Sequence, residues 1–262
     1  MSGSISRAGH AFVLAELRAR IARLDHAPRV ARPSIPFGIE AIDRHLPWGG
    51  VPRGTLHECQ ESGLAAEHGA AATLFTAGIL ARTRGTVLWC LRGRDLFAPA
   101  LASVGLGPDR VVYAETWRDA EVLPAMEEGL RHGGLAGVVG EVARLGLVAS
   151  RRLQLAAEGS GVPAFVLRRW RSDAERASAA EPSAAFTRWR VGAAPSAPLD
   201  VPGLGRPAWR LDLLRCRGAE PATWIVEACD AEGRLALLPA LSDRPHPQAG
   251  SAGEGEFGRR VA

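Results

Sequence analysis

Apolar residues follow two patterns that alternate along the middle of the chain. Continuous apolar runs of strand length occupy residues 86–91, 134–142 and 162–167. Such runs are typical of strands that are buried on both faces. Between them, apolar side chains recur at helical spacing in residues 69–83, 119–132 and 145–158. Strands that alternate with helices in this way pair in parallel through right-handed crossovers, so the pattern predicts an α/β fold.

Towards the C-terminus the pattern changes. Apolar and polar residues alternate along most of 209–217, segments of strand length follow at 223–228 and 234–238, and turn residues at 218–221 and 230–233 separate the three. Apolar and polar residues that alternate between turns predict antiparallel strands. We therefore expect a mostly parallel sheet flanked by helices, which antiparallel C-terminal strands extend.

The N-terminal region has a separate helical pattern at residues 10–25. Its apolar stripe consists of Phe12, Leu17, Ile21 and Leu24, together with Leu14. The stripe either packs on the flank of the same domain or binds a partner protein. We divide the chain into an N-terminal helix and linker (1–35), a core (36–239) and a disordered tail rich in Pro, Gly and Ser (240–262).

A turn motif opens the core. Residues 37–54 read FGIEAIDRHLPWGGVPRG, where Ile39, Ile42 and Leu46 share one face of a short helix. Gly49 and Gly50 can adopt the positive φ that a chain reversal needs. A run of strand length follows at residues 55–59. This order resembles the entrance to the ATPase core of the RecA/RadA recombinases, in which the phosphate-binding loop comes next.

The expected phosphate-binding loop is degenerate. Such a loop reads G-x-x-x-x-G-K-[ST], and its backbone amides and Lys hold phosphate while the hydroxyl holds Mg²⁺. Here Gly69 can stand for the second glycine, Gly63 is out of step, and Ala70 and Ala71 replace the Lys and the hydroxyl residue. The whole chain contains no lysine. We therefore predict a RecA-like core without ATP chemistry and without a bound cofactor.

The acidic residues of a working ATPase also look absent. The strand at 134–142 takes the place of the one that normally ends in a Mg²⁺-binding Asp, and Gly140 fills that position. Glu141 follows as the remaining acidic candidate. The end of the preceding strand offers Arg92 and Arg94 in place of a catalytic glutamate. We expect neither catalysis nor a metal site.

Two Trp–Arg clusters flank a stretch rich in Ala, Ser and Glu that we predict to be a flexible loop at 172–183. The clusters are Arg168, Arg169, Trp170 and Arg171, and Arg188, Trp189 and Arg190. Arginine beside tryptophan suits single-stranded DNA, through phosphate charge and base stacking. The alternative is that the tryptophans pack in the core and the arginines lie at strand ends.

Composition adds mild constraints. The net charge of +4 permits an acidic partner without arguing for one. The four cysteines are widely spaced, which indicates reduced thiols in a cytosolic protein. No apolar run reaches the length of a membrane span. We expect a cytoplasmic protein that does not enter a membrane.

Two further segments point to one family. Residues 89–101 read WCLRGRDLFAPAL and residues 209–218 read WRLDLLRCRG. With the opening motif and the degenerate loop, they make the chain similar to the ImuA family, RecA-like proteins of bacterial damage-inducible mutagenesis cassettes. The resemblance implies an accessory role in error-prone translesion synthesis during the SOS response. It implies three partners: the polymerase-like ImuB, RecA, and the error-prone replicative-type polymerase of the cassette.

Several alternatives stay open. In RecA-like proteins the N-terminal helix docks on a neighbouring protomer, so a homo-oligomer is one of them. A cell-division inhibitor similar to SulA is also RecA-related and needs no ATP. A DNA-stimulated ATPase is the third, although this chain lacks the lysine, the loop hydroxyl and a clear catalytic acid.

Overall fold

The computed structural model describes residue 16 and residues 32–63, 65–93, 95–170, 172–196 and 205–238. Its helices are α1 (Glu40–Asp43), α2 (Ala65–Ala81), α3 (Ala98–Ala102), α4 (Asp119–His132), α5 (Leu147–Ser160) and α6 (Asp173–Arg176). Its strands are β1 (Ser34–Ile35), β2 (Val51–Pro52), β3 (Leu56–Glu61), β4 (Val87–Arg92), β5 (Val111–Thr116), β6 (Gly137–Val142), β7 (Ala164–Arg168), β8 (Thr187–Ala194), β9 (Ala208–Cys216), β10 (Ala222–Glu227) and β11 (Ala236–Leu237). Short 3-10 turns lie at Pro108–Arg110 and Ala177–Ala180.

Most strands of the described chain belong to one mixed sheet. Its order is β11-β10-β9-β8-β3-β7-β6-β4-β5. Pairing is parallel from β8 across to β5 and antiparallel from β8 to β11. Strands β1 and β2 form a separate small antiparallel pair. The predicted α/β fold with a RecA-like core and antiparallel C-terminal strands is confirmed.

The sheet divides two apolar cores. On one side, α2 and the entrance segment (residues 37–54) cover Trp89 and Trp189. The rings of Phe37 and Phe75 lie against Trp189. On the other side, α4 and α5 contribute Met126 and Leu153 to a second cluster. Because both faces of the central strands are covered, continuous apolar runs are the sequences that such strands require.

The chain reversal in the entrance segment depends on a glycine at position 50. Gly50 has a φ of +154°, and a β-carbon there would lie 2.5 Å from the carbonyl oxygen of Ile35. Asp43 turns back on the segment, and its carboxylate accepts hydrogen bonds from the backbone N–H groups of Phe37 (2.7 Å) and Gly38 (2.8 Å). These contacts fix the chain as it approaches β3.

Three features differ from the sequence predictions. Strand β1 lies inside the predicted linker and starts before residue 36. The predicted flexible loop contains α6 and a 3-10 turn instead. Residues Thr187–Ala194 form strand β8, which lies in the sheet between β3 and β9. The predicted helix at 10–25 and the predicted tail fall almost wholly outside the described residues. None of the described helices is long and apolar enough to cross a bilayer.

Candidate functional site

The carboxyl ends of the parallel strands meet at one edge of the sheet, where open α/β sheets bind ligands. Strand β3 ends at Glu61 and α2 begins at Ala65, so residues 62–64 alone connect them. Gly63 lies in this connection, whereas Gly69, Ala70 and Ala71 lie inside the helix. Amides beyond the first turn of a helix bond to carbonyls within it and cannot cradle phosphate. The structure thus replaces the predicted degenerate loop by a short connection and an early helix.

Arg169 makes several contacts at this edge of the sheet. It directly follows β7, and its Nη1 lies 2.9 Å from Oε1 of Glu61 while its Nε lies 3.0 Å from Oε2 of Glu141. Its Nη2 donates a hydrogen bond to the hydroxyl of Thr73 on α2. The Arg169 side chain is 26% exposed. One guanidinium therefore ties together the ends of β3, β6 and β7 and the face of α2.

Glu141, rather than Gly140, faces this site. Oε1 of Glu141 accepts a 2.8 Å hydrogen bond from Nε1 of Trp89, and Oε2 pairs with Arg169. A β-carbon at Gly140 would overlap the sulfur of Met126 on α4. The structure therefore corrects the predicted register, because residue 140 faces the α4 side of the sheet and the acidic position at the edge is 141.

At this edge the positive charge of Arg169 compensates the negative charges of Glu61 and Glu141. Burial, the largest influence, lowers the pKa of Arg169, but the carboxylates of Glu141 and Glu61 together raise it above its ordinary value. The guanidinium therefore stays charged. Its charge compensates the two buried carboxylates, which would otherwise be costly to desolvate.

The space beside Arg169 is small and mixed in charge. A cavity of about 140 Å³ is lined by Arg92, Asp95, Asp119, Glu141, Val142, Ala143, Arg169, Trp170 and Glu175. An adjoining one of about 250 Å³ lies between α2 and α3 and also borders Arg169. Both are smaller than the roughly 300–1,000 Å³ typical of ligand pockets.

This set of donors does not fit a Mg²⁺–nucleotide complex of the P-loop kind. Arg169 places its positive charge 3.0 Å from Oε2 of Glu141, which opposes binding of a divalent cation there, and only residues 62–64 separate β3 from α2. Within the described residues, no group of three or more His, Cys, Asp or Glu side chains is arranged to hold a metal ion.

The described arginines of the two Trp–Arg clusters pair with acidic residues of the sheet. Arg168 lies 2.7 Å from Glu58, and both side chains are fully buried. Arg188 reaches the other oxygen of Glu58 at 3.0 Å, and Ser183 donates a 2.7 Å hydrogen bond to that oxygen. Arg190 lies 2.8 Å from Asp212. These arginines compensate carboxylates within the protein.

The tryptophans of the clusters are also internal. Trp189 is fully buried, and Trp170 is 7% exposed with its Nε1 donating to the carbonyl of Ala143 at 3.2 Å. The structure corrects the DNA-contact interpretation for Arg168, Trp170 and Trp189, because their side chains cannot reach a nucleic acid from these positions. Arg190 keeps a 40% exposed side chain. Arg171 lies outside the described residues, as does the stripe of Phe12, Leu17, Ile21 and Leu24.

Comparison with known proteins identifies the family. No family model matches the chain. Two relatives named Protein ImuA, from the NA1000 / CB15N and ATCC 19089 / CIP 103742 / CB 15 strains of Caulobacter vibrioides, are each 40% identical to it over 217 residues. The match covers 79% of this chain and 88% of each relative. The chain belongs to the ImuA family. The resemblance predicted from the sequence is confirmed.

Sequence reasoning missed the internal pairing in this ImuA-family chain. Glu58 belongs to the motif and strand run that open the core, and Glu61 puts negative charge beside the degenerate loop, but neither pattern indicates a partner. A usable signal was present, because a carboxylate in a strand covered on both faces needs a cation nearby. The arginines at 168, 169 and 188 are the candidates, but the choice among them depends on which strands flank β3.

Proposed function

We propose that this ImuA-family chain is a non-catalytic accessory protein of error-prone translesion DNA synthesis in the SOS response. The observation that carries the proposal is the pairing of Arg169 with Glu61 and Glu141. At the edge where a RecA-like ATPase binds its nucleotide, a cation from the chain itself occupies the acidic groups. The protein then acts in the cytoplasm by binding other proteins.

Internal compensation makes a rigid core that needs no nucleotide to hold it. In a working P-loop site, charge compensation at the strand ends comes from Lys, Mg²⁺ and the bound phosphates. Here Arg169 of the chain itself joins the ends of three strands and α2. A core of fixed shape suits a scaffold, and the proposed partners are the ImuB-like protein, RecA and the cassette polymerase.

The proposed partner-binding element is the N-terminal apolar stripe. The test is capture of purified ImuB-like protein and RecA from the same organism by the tagged chain and by a Leu17→Asp, Ile21→Asp variant. We expect the wild-type chain to retain at least one of the two partners without nucleotide, and the variant to lose it. Circular dichroism and thermal unfolding check that the variant core is intact.

The outcomes separate the interpretations. Capture that is lost in the variant with an unchanged unfolding transition supports a partner-binding arm. A variant that unfolds shows that the helix packs on its own core. Failure of the wild-type chain to bind either protein, or Mg²⁺-dependent ATP hydrolysis stimulated by single-stranded DNA, contradicts the proposed function.

A further inference from the structure

A groove separate from the Arg169 site runs between α5 and the end of β9. Its volume is about 430 Å³. It is lined by Leu147, Arg151, Gln154, Leu155, Glu158, Ser183, Ala184, Arg215 and Arg217. None of these residues lines the two cavities beside Arg169. The groove therefore belongs to a different surface of the protein.

One wall of the groove presents apolar side chains to solvent. Leu147 is 37% exposed and Leu155 is 67% exposed. Together with Arg151 they stand four residues apart along α5, so all three lie on one side of the helix. Two exposed leucines on either side of an arginine make an amphipathic wall that nothing in the described chain covers.

Among the described residues, no carboxylate forms a direct ion pair with the arginines of the groove. No carboxylate there lies within 4.0 Å of Arg151, Arg215 or Arg217. Arg215 instead donates to the carbonyl of Ser183 at 2.8 Å, and Arg217 donates to the carbonyl of Ala184 at 2.7 Å. A guanidinium has five N–H donors, so each of these keeps donors for a further acceptor.

The charge of the groove is positive. Its one carboxylate, Glu158, accepts a 2.9 Å hydrogen bond from Gln154 and lies 3.9 Å from Arg32. Burial, the largest influence, lowers the pKa of Arg215; the charges of Arg217 and Arg188 act in the same direction, and the charge of Glu58 acts against them. An anion bound between Arg215 and Arg217 would relieve the repulsion between these two.

The floor of the groove is held in place by buried hydrogen bonds. The hydroxyl of Ser183 donates to Oε2 of Glu58 at 2.7 Å. The backbone N–H of Ala184 donates to the hydroxyl of Ser150 at 2.9 Å, which ties the floor to α5. A groove with a fixed floor and anchored arginines loses little entropy on binding a ligand.

We propose that this groove binds an acidic peptide segment of a partner protein, with aliphatic side chains between its carboxylates. The carboxylates meet the arginines, and the aliphatic groups cover Leu147 and Leu155. A nucleic acid fits less well, because the exposed leucines offer no aromatic platform on which bases could stack. The proposal goes beyond the proposed function and does not depend on the Arg169 site.

The test uses the full chain and a labelled peptide of alternating Asp and Leu, with binding followed by fluorescence anisotropy. A peptide of alternating Asp and Ser, and a labelled oligo-dT strand, are the comparison ligands. The variants are Arg151→Glu and Leu155→Ser. Their matched controls are Arg84→Glu, which makes the same charge reversal, and Val112→Ser, which makes a similar apolar-to-polar change; both residues are exposed and do not line the groove.

We expect saturable binding of the Asp–Leu peptide, weakened about tenfold by Arg151→Glu and several-fold by Leu155→Ser. The controls should bind as the wild type does, and the Asp–Ser peptide should bind weakly. The proposal is overturned if the wild-type chain does not bind the Asp–Leu peptide, or if Arg84→Glu weakens binding as much as Arg151→Glu. Oligo-dT binding that outcompetes the peptide and is lost in Arg151→Glu would instead assign the groove to nucleic acid.

Discussion

Arg168 and Arg169 are neighbours in the chain, yet they end β7 in different environments. The side chain of Arg168 is fully buried beside Glu58, on the side of the sheet that α5 covers. Arg169 lies at the carboxyl edge, is 26% exposed, and contacts Thr73 of α2 on the other side. The same Arg–Glu chemistry is thus used once inside the fold and once at the edge where such folds bind ligands.

The two ion pairs differ in the groups that each arginine compensates. The Glu58 pair compensates charges that the fold itself has buried, and such pairs contribute little net stability over an apolar alternative. The Arg169 pair occupies acidic groups at the carboxyl edge of the sheet, where open α/β sheets bind ligands. A buried ion pair is therefore informative about function only when its place in the sheet is known.

The largest effect should come from breaking the internal pair. Glu58→Gln keeps the shape but leaves Arg168 buried without a counter-charge and weakens the contact to Arg188. We expect a loss of about 3–5 kcal/mol in the free energy of unfolding. Urea denaturation followed by tryptophan fluorescence measures it.

The matched control removes both charges of this pair. The double variant Glu58→Gln, Arg168→Met should recover part of the loss, because Arg168 is then no longer a buried charge without a partner, whereas Arg188 (13% exposed) still lacks its carboxylate. A single variant within about 1 kcal/mol of wild type would show that the pair is not needed to compensate burial.

His57, which also lies on β3, is a basic side chain that is buried without an ion pair. His57 is fully buried, with Nε2 2.9 Å from the carbonyl of Pro52 and Nδ1 2.8 Å from the hydroxyl of Thr187. These bonds satisfy a neutral imidazole. Burial lowers the pKa of His57 to about 4, although its hydrogen bond to Pro52 acts in the opposite direction.

The lowered pKa of His57 predicts a loss of stability in acid. In the unfolded chain His57 binds a proton at its ordinary pKa of about 6.5, whereas in the folded chain it stays neutral at that pH. The contribution of His57 to the free energy of unfolding is therefore fully present above pH 6.5 and is lost as the pH falls towards 4. Between pH 7.5 and pH 5 the loss should be about 2 kcal/mol. His57→Gln should remove that part of the pH dependence, and an unchanged profile would contradict it.

Breaking the edge pair should have a smaller effect. Arg169→Ala leaves Glu61 and Glu141 without their cation, but water can reach this edge and Trp89 still bonds Glu141. We expect a loss of about 1–3 kcal/mol. The control Arg92→Ala breaks the more exposed pair with Asp119 (3.3 Å) and should cost below about 1 kcal/mol. Equal losses would mean that Arg169 is an ordinary surface arginine.

The sequence predicted much of the fold because burial on both faces leaves a direct trace. The apolar runs of β4, β6 and β7 and the helical spacing of α4 and α5 were found within a few residues. Strand β8 was predicted only as the alternative to a DNA-contacting cluster, since arginines on both sides of Trp189 fit either interpretation. Their partners, Glu58 and Asp212, lie far away in sequence.

The site was predictable only in part, because the residues that meet there lie far apart in the sequence. The absence of lysine shows that no P-loop Lys exists, but it does not reveal what takes its place. The early start of α2 and the turn of Arg169 towards Glu61 and Glu141 depend on the strand order β3-β7-β6. Such contacts between neighbouring strands cannot be read from local pattern.

The most direct test of the central claim is calorimetric titration of the wild-type chain and of Arg169→Ala with Mg²⁺–ATP. We predict no saturable binding to the wild-type chain at concentrations up to about 1 mM, because Arg169 already occupies Glu61 and Glu141. Saturable, Mg²⁺-dependent binding to the wild-type chain that is lost in Arg169→Ala would contradict the claim. It would show that this arginine binds nucleotide phosphate instead of replacing the nucleotide.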